Sequence, residues 1–270
     1  MYHDLKNKIW GSFAALAIGD AMGMPLHELT PSEITSRYNG LVTSFYPIYD
    51  DEFIHTGYKA GQITDDTTLS IVTAQAIIKY KGDITTDQFA HELAHWVKNN
   101  QKIWLQGKVY GPSTRAAFEN LMNNDFNYYR DRTRTWCSTG TSNGAVMRIS
   151  PAGWANPGNL EEAVKLACTV TPPTHPTEIA CAAASGQAAA ISEALTSQAT
   201  VQSTIEAMLY GVKLGEEIGK KTVRVIEQRN PLVCLEAALE LAEKAQDPLE
   251  AAYSIRRLIG SHLHASEALS

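Results

Sequence analysis

Two adjacent carboxylates are the side chains of this sequence most able to do chemistry. Asp65 and Asp66 follow Thr64 and stand directly before a stretch of apolar residues with helical spacing. Thr64 can cap that helix, and acidic residues in a first turn complement the helix dipole, which is a purely structural interpretation. The same three side chains offer oxygen ligands to Mg²⁺ or Mn²⁺, which need only one or two protein carboxylates together with substrate oxygens. The pattern therefore predicts either a capped helix or a divalent cation site.

A second group of candidate residues lies in a long loop. Residues 140–148 are rich in glycine and small polar side chains, with Ser142, Asn143 and Gly144 near their centre. Backbone N–H groups in such a segment can bind a phosphate or diphosphate, although an ordinary turn has the same composition. His175 follows a proline-rich approach to a helix, where it can cap that helix or hydrogen-bond a ribose or phosphate. These residues are candidate ligand contacts.

The first predicted helix ends in ionisable residues that its apolar sequence does not explain. Asp20 stands among small apolar side chains, so it is expected to bind neighbouring backbone groups. His27 and Glu28 follow shortly after it, and either can act as a general acid or base if it lies at the rim of a cleft. The segment therefore contributes candidates for proton transfer.

A further pattern has the spacing of a zinc protease. His91, Glu92 and His95 match it and lie on a predicted helix. Phe89 and Leu93 belong to the buried stripe of that helix, and the two histidines fall on nearly the opposite side. The geometry favours a solvated helix face, so a zinc peptidase is the less favoured alternative.

Composition limits the classes of protein to which this chain can belong. It has 270 residues, of which 44% are hydrophobic and 19% charged, and its formal net charge is −6. These values exclude a disordered chain and fit one domain spanning residues 1–270. No lysine- or arginine-rich stripe is present that could neutralise nucleic-acid phosphates. Without a recognisable secretory signal or about 18 uninterrupted apolar residues, we expect a cytoplasmic protein, with its four separated cysteines as free thiols.

Helical periodicity dominates the chain and predicts an all-α fold. The clearest helix runs from about Asp65 to Tyr80, and apolar residues with the same spacing predict others around residues 89–97, 205–212 and 232–242. Three residues before prolines are potential helix caps: Asn230, Asp247 and His175. Gly260 is a suitable helix end.

Two predicted helices are rich in small residues. They cover residues 11–23 and 181–190. Small side chains let helix backbones approach each other closely, so both helices are expected at the centre of a compact bundle. The longer loops are left to build a functional site.

The order of these segments along the chain resembles that of the ADP-ribosylglycohydrolase family. Four segments carry the resemblance: residues 19–25, 63–67, 142–151 and 174–175. The family includes the dinitrogenase reductase-activating glycohydrolase, the ADP-ribosyl-acceptor hydrolases and the J1 crystallins. Membership implies a single orthogonal helix bundle that cleaves the bond between C1 of a ribose and an N- or O-linked acceptor. The implied partner is an ADP-ribosyl or riboside substrate, which a modified protein could carry.

The resemblance also implies roles for individual side chains. Thr64, Asp65 and Asp66 would be ligands of Mg²⁺ or Mn²⁺ in a two-metal site. Asp66 is also the first candidate for a catalytic carboxylate, and Glu28 is the second, one place after His27, which aligns with an acidic residue common in the family. Cleavage of a riboside needs such groups, because a positioned water must lose a proton as it attacks an oxocarbenium-like sugar.

Substrate contacts are implied for the loop and for one histidine. Ser142, Asn143 and Gly144 would lie along the diphosphate or ribose, and His175 would lie near the adenosine. In the family a C-terminal Asp-x-Asp-Ser/Thr element completes the metal site, whereas Asp247 is the last aspartate here. We therefore expect an incomplete binuclear centre in this sequence, either because the sequence is truncated before that element or because the protein has lost the second half of the site. The alternative is a non-catalytic member that binds ADP-ribose or has a structural, crystallin-like role.

Overall fold

Helices account for the secondary structure of this protein. The computed structural model describes residues 2–27, 29–40, 42–49, 57–106, 110–127 and 140–270. These stretches contain thirteen α-helices, a short 3₁₀ helix at Met24–Leu26 and two isolated β-bridges, but no strand. The α-helices are α1 (Tyr2–Gly23), α2 (Pro31–Tyr38), α3 (Asp65–Lys79), α4 (Thr86–Asn99), α5 (Gln101–Gln106), α6 (Pro112–Met122), α7 (Ser150–Trp154), α8 (Leu160–Val170), α9 (Glu178–Ala194), α10 (Val201–Thr222), α11 (Pro231–Lys244), α12 (Pro248–Leu258) and α13 (Ala265–Leu269). The predicted all-α class is confirmed.

Local sequence signals correctly predicted several helix boundaries. Helix α3 begins at Asp65 with Thr64 as its cap. Asn230 and Asp247 cap α11 and α12, and each accepts hydrogen bonds from two backbone N–H groups of the following turn. Helix α12 ends just before Gly260, whose φ of 120° suits a residue without a side chain.

The predicted cap at His175 is wrong. Helix α9 begins at Glu178, and its cap is Thr177, whose hydroxyl oxygen accepts a hydrogen bond from the backbone N–H of Ala180 at 3.2 Å. Threonine at this position offers a short side chain that reaches the free N–H groups of the first turn. The imidazole of His175 is instead engaged by Ser142 and Thr174.

Helix α9 lies at the centre of the fold, as its small residues predicted. It packs mainly against α10, α8 and α7, and nearly all of its side chains are buried. Gly211, Gly215 and Gly219 of α10 face it at intervals of four residues, and a Cβ atom on Gly215 would lie 2.4 Å from Cβ of Ser185. The absence of side chains at these positions lets the two helix backbones approach each other closely.

The same expectation for residues 11–23 is wrong. Within the described side chains of α1 only Ala21 is buried, while Trp10 and Ile18 are 61% and 48% exposed. The helix is attached at its middle, where Phe13 packs edge-on against Trp154 and Ser12 accepts a hydrogen bond from the Trp154 indole at 2.9 Å. Small residues permit close packing but do not decide whether another helix is there to use it.

Two statements about composition can be compared with the structure. Residues Asp4–Leu26 are long and apolar enough to cross a membrane when judged by length and composition alone, a property that core helices and signal sequences share. Asp20 interrupts this segment, so it does not contain the about 18 uninterrupted apolar residues expected of a membrane span, and the cellular location stays a prediction. Cys168, Cys181 and Cys234 are free thiols as expected, and Cys137 lies outside the described residues.

Candidate active site

Asp20 connects the end of α1 to the start of α3. Its carboxylate accepts hydrogen bonds from the backbone N–H and the hydroxyl of Thr64, at 2.9 and 2.7 Å. It also accepts from the backbone N–H and the hydroxyl of Thr67, at 3.2 and 2.6 Å. The expectation that Asp20 binds backbone groups is confirmed. Because these contacts span more than 40 residues of sequence, they fix the first turn of α3 against α1.

The capping interpretation of Thr64 is also confirmed, although the cap is long. The Thr64 oxygen accepts from the backbone N–H of Asp66 at 3.4 Å, and its hydroxyl lies 3.1 Å from a carboxylate oxygen of Asp66. Both oxygens of Asp20 are already bound to Thr64 and Thr67. The carboxylates of Asp65 and Asp66 are therefore the ones left to contact a ligand.

Burial and mutual repulsion dominate the electrostatics of this turn. Burial raises the pKa of Asp65 well above its ordinary value, and the charge of Asp66 raises it further. Burial, followed by the charge of Asp20, raises the pKa of Asp66 to about 6. Burial, followed by the charges of Asp65 and Asp20, also raises the pKa of Tyr58. A group of like charges in a buried turn is relieved by a bound cation or by protonation.

A cavity of about 630 Å³ lies over this turn and brings the predicted site residues together. Six of them line it: Thr64, Asp65, Asp66, Ser142, Asn143 and Gly144. The two groups are separated by more than 70 residues of sequence, so only the packing of α1, α3 and the loop places them in one cavity. His27 also lines the wall, which is the position that a role in proton transfer requires. Glu28 lies outside the described residues.

The loop that carries Ser142 is held from several directions. The backbone N–H of Gly140 donates to the Ser113 hydroxyl at 2.9 Å, and its carbonyl accepts from the Thr177 hydroxyl at 2.6 Å. The backbone N–H of Asn143 donates to the carbonyl of Leu263 at 2.7 Å. That N–H group is therefore used inside the protein and is not offered to an anion, which differs from the expectation for this loop.

His175 lies one layer behind the cavity. It is fully buried, and its Nε2 and Nδ1 atoms lie 2.8 Å from the hydroxyls of Ser142 and Thr174. Burial, followed by the charge of Arg148, lowers the pKa of His175 to about 3, so the ring is neutral. This position differs from the expectation that His175 itself contacts the ligand: the ring supports Ser142, which lines the cavity.

Several cavity residues were not identified from the sequence. Tyr110, Thr114 and Arg115 come from the start of α6, and Arg115 Nε donates a hydrogen bond to the Tyr110 carbonyl at 3.0 Å. Leu263 comes from the turn before α13. Gly111 before Pro112 is a typical helix start and could have indicated where α6 begins. Nothing in the sequence indicates that this helix start faces the cavity.

The donor set at α3 fits one hard cation. Two carboxylates and the Thr64 hydroxyl suit Mg²⁺ or Mn²⁺, which keep several waters or substrate oxygens as their remaining ligands. The described part of the chain contains no group of three or more histidine, cysteine, aspartate or glutamate side chains that could hold a metal ion.

The zinc-protease pattern on α4 faces solvent, as the helical wheel predicted. His91 and His95 are exposed, and they contact Phe126 and Asn99. Glu92 forms an ion pair with Lys79 at 2.6 Å and accepts a hydrogen bond from the Tyr80 hydroxyl. These side chains lie outside the cavity, so the structure offers no support for a zinc peptidase.

Comparison with known proteins agrees with this arrangement. The chain is 28% identical to the uncharacterized protein YegU of Escherichia coli (strain K12) over 188 residues, which cover 68% of this chain and 53% of that protein. It is 32% identical to an uncharacterized protein of Archaeoglobus fulgidus over 155 residues, covering 55% and 43%. It is 28% identical to the ADP-ribosyl-[dinitrogen reductase] glycohydrolase of Rhodospirillum rubrum over 172 residues, covering 60% and 50%. The chain spans about half the length of the curated relatives it matches.

A family model gives the broader match. The ADP-ribosylglycohydrolase model aligns with residues 1–269, which include every segment that builds the cavity. The helical architecture, the aspartate pair at the start of α3 and the loop around Ser142 all fall within that match. This chain belongs to the ADP-ribosylglycohydrolase family.

Proposed function

We propose that this chain forms the cleft of a hydrolase that releases ADP-ribose or a related riboside from an N- or O-linked acceptor. One observation carries the proposal: a single cavity holds the aspartate pair of α3 and the small polar loop around Ser142. Its volume of about 630 Å³ falls within the roughly 300–1,000 Å³ typical of small-molecule sites. Membership of the family supports ADP-ribosyl linkages as the bonds that are cleaved.

The side chains that line the cavity suit different parts of such a substrate. The hydroxyl of Ser142 and the guanidinium of Arg115 are hydrogen-bond donors, which phosphate and sugar oxygens accept. The carboxylates of Asp65 and Asp66 accept hydrogen bonds from ribose hydroxyls or from a water. We therefore assign the diphosphate to Ser142 and Arg115 and the reacting ribose to the aspartate pair.

Asp66 is the best described candidate for the general base. Without a bound cation its pKa is about 6, so the carboxylate is ionised at neutral pH and can accept a proton from an attacking water. Cleavage of a riboside passes through an oxocarbenium-like state, in which a nearby carboxylate also stabilises the positive charge. A divalent cation bound by Thr64, Asp65 and Asp66 would supply Lewis acidity and orient the sugar hydroxyls. Glu28, outside the described residues, stays a second catalytic candidate.

The test combines turnover with metal binding. The purified chain is incubated with an ADP-ribosylated protein and with simple ribosides, with and without Mg²⁺ or Mn²⁺, and released ADP-ribose or ribose is quantified. Asp66→Asn should abolish turnover and the rise in melting temperature that the cation causes. Asp87→Asn is the matched control, because Asp87 is an exposed aspartate at the same position in the first turn of α4. Absence of turnover by the unsubstituted chain on every substrate would refute the proposed activity.

A second candidate is a member of the family that binds ADP-ribose without cleaving it. The observation that favours it is the small number of metal-ligating side chains, since the described residues contain no group of three or more. Calorimetry with ADP-ribose distinguishes the two functions. Binding that is independent of Mg²⁺ and Mn²⁺, together with no turnover, would support the non-catalytic protein.

A further inference from the structure

Arg148 is a buried cation without an anionic partner among the described residues. Its guanidinium is 1% exposed and lies 5.2 Å from the ring centre of Phe89. It donates hydrogen bonds to the carbonyls of Gly144 and Val170, both at 3.1 Å, and to the Thr174 hydroxyl at 2.7 Å. Burying a charge that binds only neutral acceptors lowers the stability of the folded protein, so its contacts are informative about function.

The contact between Arg148 and Thr174 sets the direction of the next hydrogen bond. A guanidinium has only donors, so the Thr174 oxygen must accept from it. The hydroxyl hydrogen of Thr174 then has Nδ1 of His175, at 2.8 Å, as its acceptor. If Nδ1 carried a hydrogen instead, the Thr174 hydroxyl would have no acceptor within the described parts of the chain. Burying an unsatisfied donor is unfavourable, so Nδ1 accepts and the ring hydrogen lies on Nε2.

The ring hydrogen fixes the role of Ser142 in turn. Nε2 of His175 lies 2.8 Å from the Ser142 oxygen, which accepts its hydrogen. The hydroxyl hydrogen of Ser142 is then left for the cavity that Ser142 lines. Gly144 allows this arrangement, because a Cβ atom there would lie 2.7 Å from Cε1 of the ring.

We propose that Arg148, Thr174 and His175 form a one-directional hydrogen-bond chain that holds Ser142 as a donor toward an anionic oxygen of the ligand. The three residues are positioning residues, since only Ser142 reaches the cavity. A serine locked as a donor favours phosphate or sugar oxygens and disfavours ligand groups that can only donate. The positive charge at the far end strengthens each link, because hydrogen bonds in a chain polarise one another. That the ligand is ADP-ribose rests on the proposed function.

The ring hydrogen can be located without any ligand. Nitrogen NMR of the histidine rings in the unsubstituted chain distinguishes a hydrogen on Nε2 from one on Nδ1. We expect His175 to be neutral with its hydrogen on Nε2. A hydrogen on Nδ1, or a charged ring at neutral pH, would overturn the proposal whatever the protein binds.

The second measurement tests whether Thr174 acts through Ser142. Calorimetry gives the affinity for ADP-ribose of Thr174→Val, Ser142→Ala and the double variant. Thr174→Val should weaken binding by about tenfold in the native background and by much less when Ser142 is already alanine. Thr174→Ser should restore the affinity, because it keeps the hydroxyl. Equal losses in both backgrounds would overturn the proposal, since a merely structural role would give that result.

A matched control accompanies these variants. Thr171→Val removes an equally buried hydroxyl, which donates only to the Ala167 carbonyl at 2.8 Å. This hydroxyl is not part of the hydrogen-bond chain from Arg148 to Ser142. Its affinity should stay within about twofold of the native value. A loss as large as that of Thr174→Val would contradict the proposal. If the unsubstituted chain does not bind ADP-ribose, the proposed function fails, and the position of the ring hydrogen still decides whether the chain of hydrogen bonds exists.

Discussion

Gly144 lines the cavity and faces the ring of His175, which lies directly behind it. A Cβ atom on Gly144 would lie 2.7 Å from Cε1 and 3.0 Å from Nε2 of the imidazole, and 3.1 Å from Oγ1 of Thr114. The loop therefore approaches the ring as closely as a backbone without a side chain allows. Because His175 binds Ser142 at 2.8 Å, the residue at position 144 controls where the Ser142 hydroxyl lies.

Gly144→Ala should weaken ligand binding by disturbing this contact. His175 is fully buried and cannot move outward, so the added methyl group displaces the loop. Overpacking of this kind destabilises a protein by about 1–3 kcal/mol. We expect a lower free energy of unfolding in urea and an affinity for ADP-ribose reduced by about tenfold or more in calorimetry. An unchanged affinity would contradict the role assigned to the contact.

Asp20→Asn should destabilise the start of α3. The carboxylate accepts four hydrogen bonds from Thr64 and Thr67, and an amide keeps only one oxygen to accept them. We expect a loss of about 1–3 kcal/mol in urea unfolding. Asp4→Asn, which changes an exposed aspartate in the first turn of α1, should have a much smaller effect. Equal losses for the two variants would show that the hydrogen bonds of Asp20 add nothing to stability.

When a chelator removes divalent cations, titration of Asp66 should make the free energy of unfolding vary with pH. Its pKa is raised to about 6 in the folded protein, so the folded state binds the proton more tightly than the unfolded state does. The contribution of Asp66 to stability is therefore fully present below about pH 4 and is lost as the pH rises through about 6. Asp66→Asn should remove this part of the pH dependence, while the raised pKa of Asp65 keeps a part of its own. The variant should be about 1–2 kcal/mol more stable than the native chain at pH 7.

The measurement is urea unfolding of both proteins at pH 4 and pH 7. At pH 4 the native Asp66 is largely protonated, so the two proteins should have similar stability. Asp87→Asn should show no comparable gain at pH 7, because Asp87 is exposed. A native protein that is more stable at pH 7 than the asparagine variant would mean that an interaction of ionised Asp66 outweighs its burial.

Gly215→Ala should weaken the packing of α9 against α10. An added Cβ atom would lie 2.4 Å from Cβ and 2.5 Å from Oγ of Ser185, and 2.9 Å from the Cys181 carbonyl, so the two helices must separate. We expect a loss of about 1–3 kcal/mol and a lower melting temperature. Gly11→Ala is the control, since nothing lies within 4 Å of a Cβ atom there and alanine favours a helix. A Gly215→Ala protein that is more stable than the native one would show that α9 and α10 are not as closely packed as the structure indicates.

Features that depend on a few consecutive residues were predictable from the sequence. Periodicity predicted the span of α3, and the caps at Thr64, Asn230 and Asp247 were identified correctly. Helix periodicity and capping act over about four residues, so the information lies within the local sequence. Local residue types made the aspartate pair and the loop around Ser142 candidates, and the structure places both in one cavity, while their roles stay predictions.

Features that depend on distant contacts were decided by the tertiary structure. Helices α1 and α9 are both rich in small residues, yet only α9 is central, because α8 and α10 pack against it. His175 was expected at the ligand and lies behind Ser142, because the neighbouring loop covers it and Gly144 leaves it space. Burial and the direction of hydrogen bonds depend on which segments meet, and residues far apart in sequence meet only in the folded protein.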